Sequence, residues 1–278
     1  MKRRTKQHVA PFERLRGLMM LQAIAVLCWL LLMFLIQSGH ETFQRLQLLL
    51  DESAVAYTTS DFVISLAITL LLLFFLIRKR LFAPFVSILL GFLIFSGSVF
   101  FFGVELAFFL SAALILYERM SRSFLSNNVL IFAAASFGAI PFAITYGPNT
   151  FFLLLIFFSI YDVLGVFFTK LIPRLAKAAV EFNIPLLLLA PRENISWRDK
   201  TSLANSAAIL GAGDLLIPAV TLGSITFFAG IPVALASLLG AIIGAVLNTI
   251  LAMFIRTGIP AIPLMSAGLI LAFFLTAH

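Results

Sequence analysis

Two aspartates stand alone in this chain of 278 residues, and they set the chemistry open to it. Between Ser123 and Thr169 the only Asp, Glu, Lys, Arg or His is Asp162. Between Thr201 and Ile255 the only one is Asp214, and both stretches are otherwise largely apolar. A carboxylate at the centre of a bilayer costs about 2.5–3.5 kcal/mol even on insertion scales, so such residues are rare and mark function. Two carboxyls facing each other in low dielectric cannot both ionise. They share a proton and titrate apart, leaving one a base and the other an acid at the same pH. Such a pair can activate a water for attack on a peptide carbonyl while protonating the carbonyl oxygen, without metal or covalent intermediate. The same groups could instead carry protons or cations across a membrane. Spacing alone leaves both readings open.

The elements that position these carboxyls must be membrane helices. The chain is 62% hydrophobic and 11% charged, with a mean hydropathy of +1.12. That composition describes an all-α polytopic membrane protein with little room for an extramembrane domain. The formal charge of +7 follows membrane topology and gives no reason to invoke nucleic acid. Cys28 is the single cysteine, so disulfides and cysteine metal sites are excluded, and His8, His40 and His278 fall in termini or a loop. No metal centre and no cofactor is expected.

A span needs about 20 apolar residues. Apolar runs cut at turn signals give nine: 17–36, 62–77, 81–102, 104–117, 125–145, 150–169, 204–227, 233–255 and 259–277. The cuts at Gly103–Glu105, Tyr146–Asn149 and Ala229–Pro232 rest on Gly, Pro, Asn or charge. With the N-terminus in the cytoplasm, every one of the 19 Lys and Arg residues except Arg45 falls on the cytoplasmic side, as the positive-inside rule requires. The expected organisation is a cytoplasmic basic tail (1–16), spans one to six (17–169), a cytoplasmic loop (170–203) and spans seven to nine (204–278). These form a single membrane domain in the cell membrane, with the C-terminus outside. The first span is read as retained rather than as a signal peptide. Within the loop, the apolar run from Pro185 to Pro191 is too short to span. It is either an interfacial segment or a strand with a free edge facing the site. Glu105, Asn127 and Asn128 lie near span ends and read as interfacial, and Gly240-x-x-x-Gly244 marks span eight as a close-packing helix.

Asp162 on span six lies about 12 Å from the cytoplasmic end, at 1.5 Å per residue. Asp214 on span seven reaches the same depth if its helix enters near residue 206, with Asn205 and Ser206 as caps. Ser159, Asp162, Gly165 and Thr169 share one helical stripe, as Ala207, Gly211, Asp214 and Pro218 do on span seven. Small residues on such stripes let helices approach closely.

The flanking residues carry a resemblance. Tyr161-Asp162 on span six, Gly211-Ala212-Gly213-Asp214 on span seven and Pro260-Ala261-Ile262-Pro263 opening span nine stand in the order of the presenilin/signal peptide peptidase family. That family's patterns are Tyr-Asp, Gly-x-Gly-Asp and Pro-Ala-Leu; the first two match in full and the third has Ile262 for leucine. The three motifs cover roughly the last 120 residues, while spans one to five resemble the family by count and hydropathy alone. Short loops make the chain similar to an archaeal member. The resemblance implies an intramembrane aspartyl protease with Asp162 and Asp214 as catalytic pair, which outweighs the transport reading. Tyr161, Gly211 and Gly213 are then supporting residues. The segment Pro260, Ala261, Ile262 and Pro263 binds extended substrate, its prolines preventing regular helix there. The implied partners are transmembrane-helix proteins and the lipid bilayer. The sequence allows a homo-oligomer and demands no accessory subunit.

Overall fold

The computed structural model describes residues 11–45, 82–254 and 259–277. In chain order the elements are α1 (Pro11–Ser38), α2 (Phe82–Ser121), α3 (Phe124–Thr145) and α4 (Pro148–Val163). α4 runs on into a π-helical turn (Leu164–Phe168), followed by α5 (Leu171–Glu181), β1 (Leu187–Pro191) and β2 (Ser206–Gly211). The chain then continues through α6 (Ala212–Ala229), α7 (Ile231–Phe254) and α8 (Ile262–Thr276). Among the described residues, six helices are long and apolar enough to cross a bilayer, and α8 is apolar but shorter. The chain is a polytopic membrane protein, and among the described residues its helices are joined by one two-stranded antiparallel sheet. The span expected at 62–77 lies outside the described residues.

The apolar stretch of α2 is 39 residues long, about twice what a crossing needs. It breaks at Gly103, whose φ of 75° and ψ of 170° are non-helical and open chiefly to glycine. Gly91 and Ile115, equally far from Gly103 in sequence, touch, and a Cβ on Gly91 would collide with the Ile115 side chain. The segment therefore doubles back at the turn expected at Gly103–Glu105. Its first arm meets α3 closely, since a Cβ on Gly97 would overlap the Phe137 carbonyl.

Close backbone approach also joins α7 to α8. A Cβ on Gly240 would overlap the Gly268 carbonyl, and one on Gly244 the Leu264 carbonyl. These contacts give the Gly240–Gly244 stripe the packing role expected of it. Gly240→Leu should force the two helices apart and lower stability by about 1–3 kcal/mol, the usual range for overpacking. A thermal melt of the purified variant measures this, and an unchanged midpoint would contradict the packing.

The approach to Asp214 differs from expectation. The seventh span does not begin at 204: residues Ser206–Gly211 form a strand, and α6 starts only at Ala212. Asn205 and Ser206 are therefore not its caps, and Ala207 and Gly211 share no helical stripe with Asp214 and Pro218. A buried strand and a buried helix have the same hydropathy, so the apolar run hid the change of backbone. The Pro185–Pro191 run resolves as a strand, with Leu187 opposite Gly211 and Leu189 opposite Ile209.

The outer edge of β1 is not free. Asn127 Nδ2 donates to the Leu187 carbonyl at 2.7 Å, and Asn128 Nδ2 donates to the Leu189 carbonyl at 2.9 Å. The Leu189 N–H in turn donates to Asn128 Oδ1 at 3.0 Å. Asn127 and Asn128 are 6% and 5% exposed. They are buried strand partners, where interfacial residues were expected. The edge left over belongs to β2, where Ile209, opposite Leu189, turns its N–H and C=O away from β1.

Candidate functional site

Asp162 is the penultimate residue of α4 and is 6% exposed, whereas its neighbour Tyr161 is 44% exposed. Consecutive helical residues sit about 100° apart, which puts the carboxyl inside and the phenol outside. Asp162 Oδ2 accepts the backbone N–H of Ile262 at 3.3 Å. Ile262 is the first residue of α8. The first N–H groups of a helix have no intrahelical acceptor, and its dipole favours an anion at that end by about 0.3–1 kcal/mol. Asp162 thus caps α8 from a helix 100 residues away in sequence. The contact runs through the backbone, so the isoleucine that departs from the family pattern is compatible with it.

The prolines act less symmetrically than expected. Residues 259–261 precede the helix, but Pro263 lies inside the first turn of α8. Its missing N–H would have been unpaired there in any case, so it favours the helix start instead of preventing it. Among the described residues before α8, Pro260 and the residue before it lie outside the helix, and Ala261 already has helical φ and ψ of −85° and −38° as its N-cap.

Asp214 is the third residue of α6, and its Oδ2 accepts the N–H of Gly211 at 3.1 Å. A Cβ on Gly211 would lie 3.2 Å from that oxygen, so the glycine leaves room for the carboxylate itself. Gly213 differs: it is exposed, and a Cβ there would meet only Ile217 Cδ1, at 4.0 Å. One glycine accommodates Asp214 and the other leaves the adjoining face open.

Helix α4 packs against both α6 and α8, and the Asp162 and Asp214 carboxyls are near enough to interact electrostatically. Asp162, at the end of α4, accepts from the start of α8, Asp214 accepts from the residue before its own helix, and the Asp162 carboxyl acts on Asp214 through space. Of the stripe expected through Ser159, Asp162, Gly165 and Thr169, Asp162 and Gly165 are buried but Thr169 is exposed. The π turn, in which the Thr169 N–H donates to the Leu164 carbonyl, carries Thr169 around the axis, and Gly165 admits the side chain of Ile172 on α5. Among the described residues, no three His, Cys, Asp or Glu side chains come together as a metal site requires.

Sequence reasoning missed the asparagine pair that clamps β1 and the strand that delivers Asp214. Adjacent amides in an apolar span were the available signal for the first, since an unpaired buried amide is costly and implies a backbone partner. The second left no signal in hydropathy.

A solved presenilin family intramembrane aspartate protease, crystallised in space group C222, has a similar fold. The TM-score is 0.56 at 18% identity, covering 91% of this chain and 92% of that one. A structure of a presenilin family intramembrane aspartate protease in space group P2 gives 0.54 at 19% identity, over 90% and 95%. No curated protein matches the chain. A family model described as signal-peptide peptidase, presenilin aspartyl protease matches residues 66–278, a stretch that includes both aspartates and Pro260–Pro263. The chain belongs to that family and is an intramembrane aspartyl protease.

Proposed function

We propose that Asp162 and Asp214 are the catalytic pair and that the enzyme cleaves transmembrane helices of other proteins. The observation that carries this is the packing of α4 against α6 and α8, which puts Asp162 on the N–H that opens α8 and within electrostatic range of Asp214, itself held by the N–H before α6. A water between them loses a proton to the ionised carboxylate and attacks the scissile carbonyl. The protonated carboxyl gives its proton to the carbonyl oxygen, forming a neutral gem-diol. On collapse the C–N bond breaks as one gem-diol hydroxyl gives its proton to the carboxylate and the departing amine takes the proton of the other carboxyl, so the pair returns to one shared proton.

A transmembrane helix hides its carbonyls in its own hydrogen bonds, so cleavage requires local unwinding, and unwound backbone in lipid must find new partners. The outward N–H and C=O of Ile209 on β2 offer such a partner by strand addition. That edge takes the place of the free edge expected on the Pro185–Pro191 run, where Asn127 and Asn128 occupy the Leu187 carbonyl and both backbone groups of Leu189. The open face at Gly213 and the backbone before α8 at Pro260 and Ala261 adjoin the same carboxyls. Tyr161, exposed beside Asp162, forms the site wall and takes no part in proton transfer. The topology proposed is nine spans in the cell membrane with the N-terminus and residues 170–203 cytoplasmic. The Lys/Arg distribution and the break at Gly103 support it.

The test is incubation of purified protein in lipid vesicles with a labelled transmembrane peptide. Discrete fragments ending within the hydrophobic stretch are expected. Ion uptake driven by a pH gradient, with no peptide product, would overturn the reading in favour of transport.

The segment before α8 is tested separately. Pro260→Ala restores an amide donor and helical freedom, so α8 should extend backwards and carry the Ile262 N–H away from Asp162. Turnover should fall about tenfold or more, because small misplacements of reacting groups are expensive. Ile262→Leu should stay within a few-fold of wild type, since the contact is made by backbone. Wild-type turnover by Pro260→Ala would remove this segment from the mechanism.

A further inference from the structure

Helix α1 precedes the stretch matched by the family model, which begins at residue 66. Yet it runs along every piece of backbone that delivers Asp214. At its start, a Cβ on Gly17 would lie 2.9 Å from the Cβ of Ala208 on β2. Further along, Leu32 and Ile36 fill the space left by Gly223 on α6. Between these contacts, the fully buried Trp29 donates its indole N–H to the Leu215 carbonyl at 3.0 Å.

That bond falls where α6 is weakest. Pro218 lies four residues after Asp214 and has no N–H, so the Asp214 carbonyl lacks the i+4 donor of a regular α-helix. The first turn of α6 thus lacks a rung at the aspartate itself, and it hangs from a strand on its other side. An indole N–H from a separate helix, fixed by a buried bicyclic ring, ties the adjacent carbonyl in place. We propose that Trp29 is a positioning residue for catalysis, holding the first turn of α6 so that the Asp214 carboxyl keeps its bearing on Asp162. This rests on the reading of Asp214 as catalytic.

The role makes a demand that packing alone does not. If Trp29 orients Asp214, removing its N–H should weaken transition-state binding and leave ground-state binding of substrate alone. Trp29→Phe keeps an aromatic ring and deletes the donor. Replacing Trp29 with 3-benzothienylalanine keeps the whole bicycle and exchanges N–H for sulfur, which covers the case where Trp29→Phe does not fold. In vesicles with a labelled transmembrane peptide, kcat should fall about tenfold and KM should stay within about twofold. Affinity for a peptide analogue bearing a hydroxyl-substituted tetrahedral carbon at the scissile position should weaken by the same factor as kcat. The control is Cys28→Ala, which alters the neighbouring residue of α1, whose thiol lies 3.1 Å from the Ser136 hydroxyl on α3. It should melt earlier but keep its kcat.

Wild-type kcat in the benzothienyl protein would overturn the assignment. An equal fall of kcat in Cys28→Ala would do the same, by reducing Trp29 to general packing. Asp214→Ala separates the two readings. If that variant still cleaves, the catalytic pair falls and this inference with it. If it is inactive while the benzothienyl protein is fully active, only the role of Trp29 is lost.

Discussion

Alanine at Asp162 or at Asp214 should each abolish cleavage of a transmembrane peptide, and the double variant should be no worse than either single one. Two carboxyls that share one proton act as a unit, so losing either removes both the base and the acid. A drop of at least about 10²–10⁴-fold is expected from the general acid–base contribution alone. The structure adds a way to separate chemistry from folding. Each carboxylate also accepts a helix-start N–H, from Ile262 or from Gly211. Asparagine keeps an acceptor oxygen for that bond and cannot act as acid or base. Asp162→Asn and Asp214→Asn should therefore be as inactive as the alanine variants but melt higher. The expected difference is about 0.5–2 kcal/mol, the usual value of such a cap. Mass spectrometry of the products, beside thermal melts of the same preparations, reads both quantities. Cleavage retained by any purified single variant would end the case for the pair.

A comparable loss is expected far from either carboxyl. Asn128 satisfies both the N–H and the C=O of Leu189, and Leu189 is buried. Asn128→Ala strands two backbone groups at about 1–3 kcal/mol each, so a loss of roughly 2–6 kcal/mol is expected. β1 holds β2, and β2 runs directly into the helix of Asp214, so activity should fall together with stability. Asn128→Gln, whose longer side chain keeps the same donor and acceptor, should recover part of both. A thermal melt of Asn128→Ala that matches wild type would show that the strand does not depend on this clamp.

The carboxyls were legible in the sequence because a charge inside a bilayer is costly and therefore conspicuous. Asp162 and Asp214 stand out of their spans for that reason, and Pro260 and Gly240 announce their backbone roles through what their side chains lack. The passage from 186 to 214 was not legible. Ala207, Ala208, Ile209 and Leu210 suit a buried strand as well as a buried helix, and only pairing with Leu187–Pro191 decides between them. That pairing is non-local, so no window of sequence contains it. Asn127 and Asn128 were misplaced for the same reason. Polar residues near a span end usually meet headgroups, and here they meet a strand some 60 residues away. Trp29 carried no sign of its role, since an indole in an apolar helix reads as bulk.

The hydrogen bond between Asp162 and Ile262 also bears on how the protein is made. Ile262 leaves the ribosome 100 residues after Asp162, and contacts of such long range form late because closing the intervening chain costs entropy. Until α8 has entered the bilayer and docked on α4, Asp162 lacks its backbone donor and the start of α8 lacks its cap. A growing chain therefore carries both carboxyls in the membrane before it can align them. On the proposed reading of the pair, the last helix to be made is the one that completes the setting of Asp162.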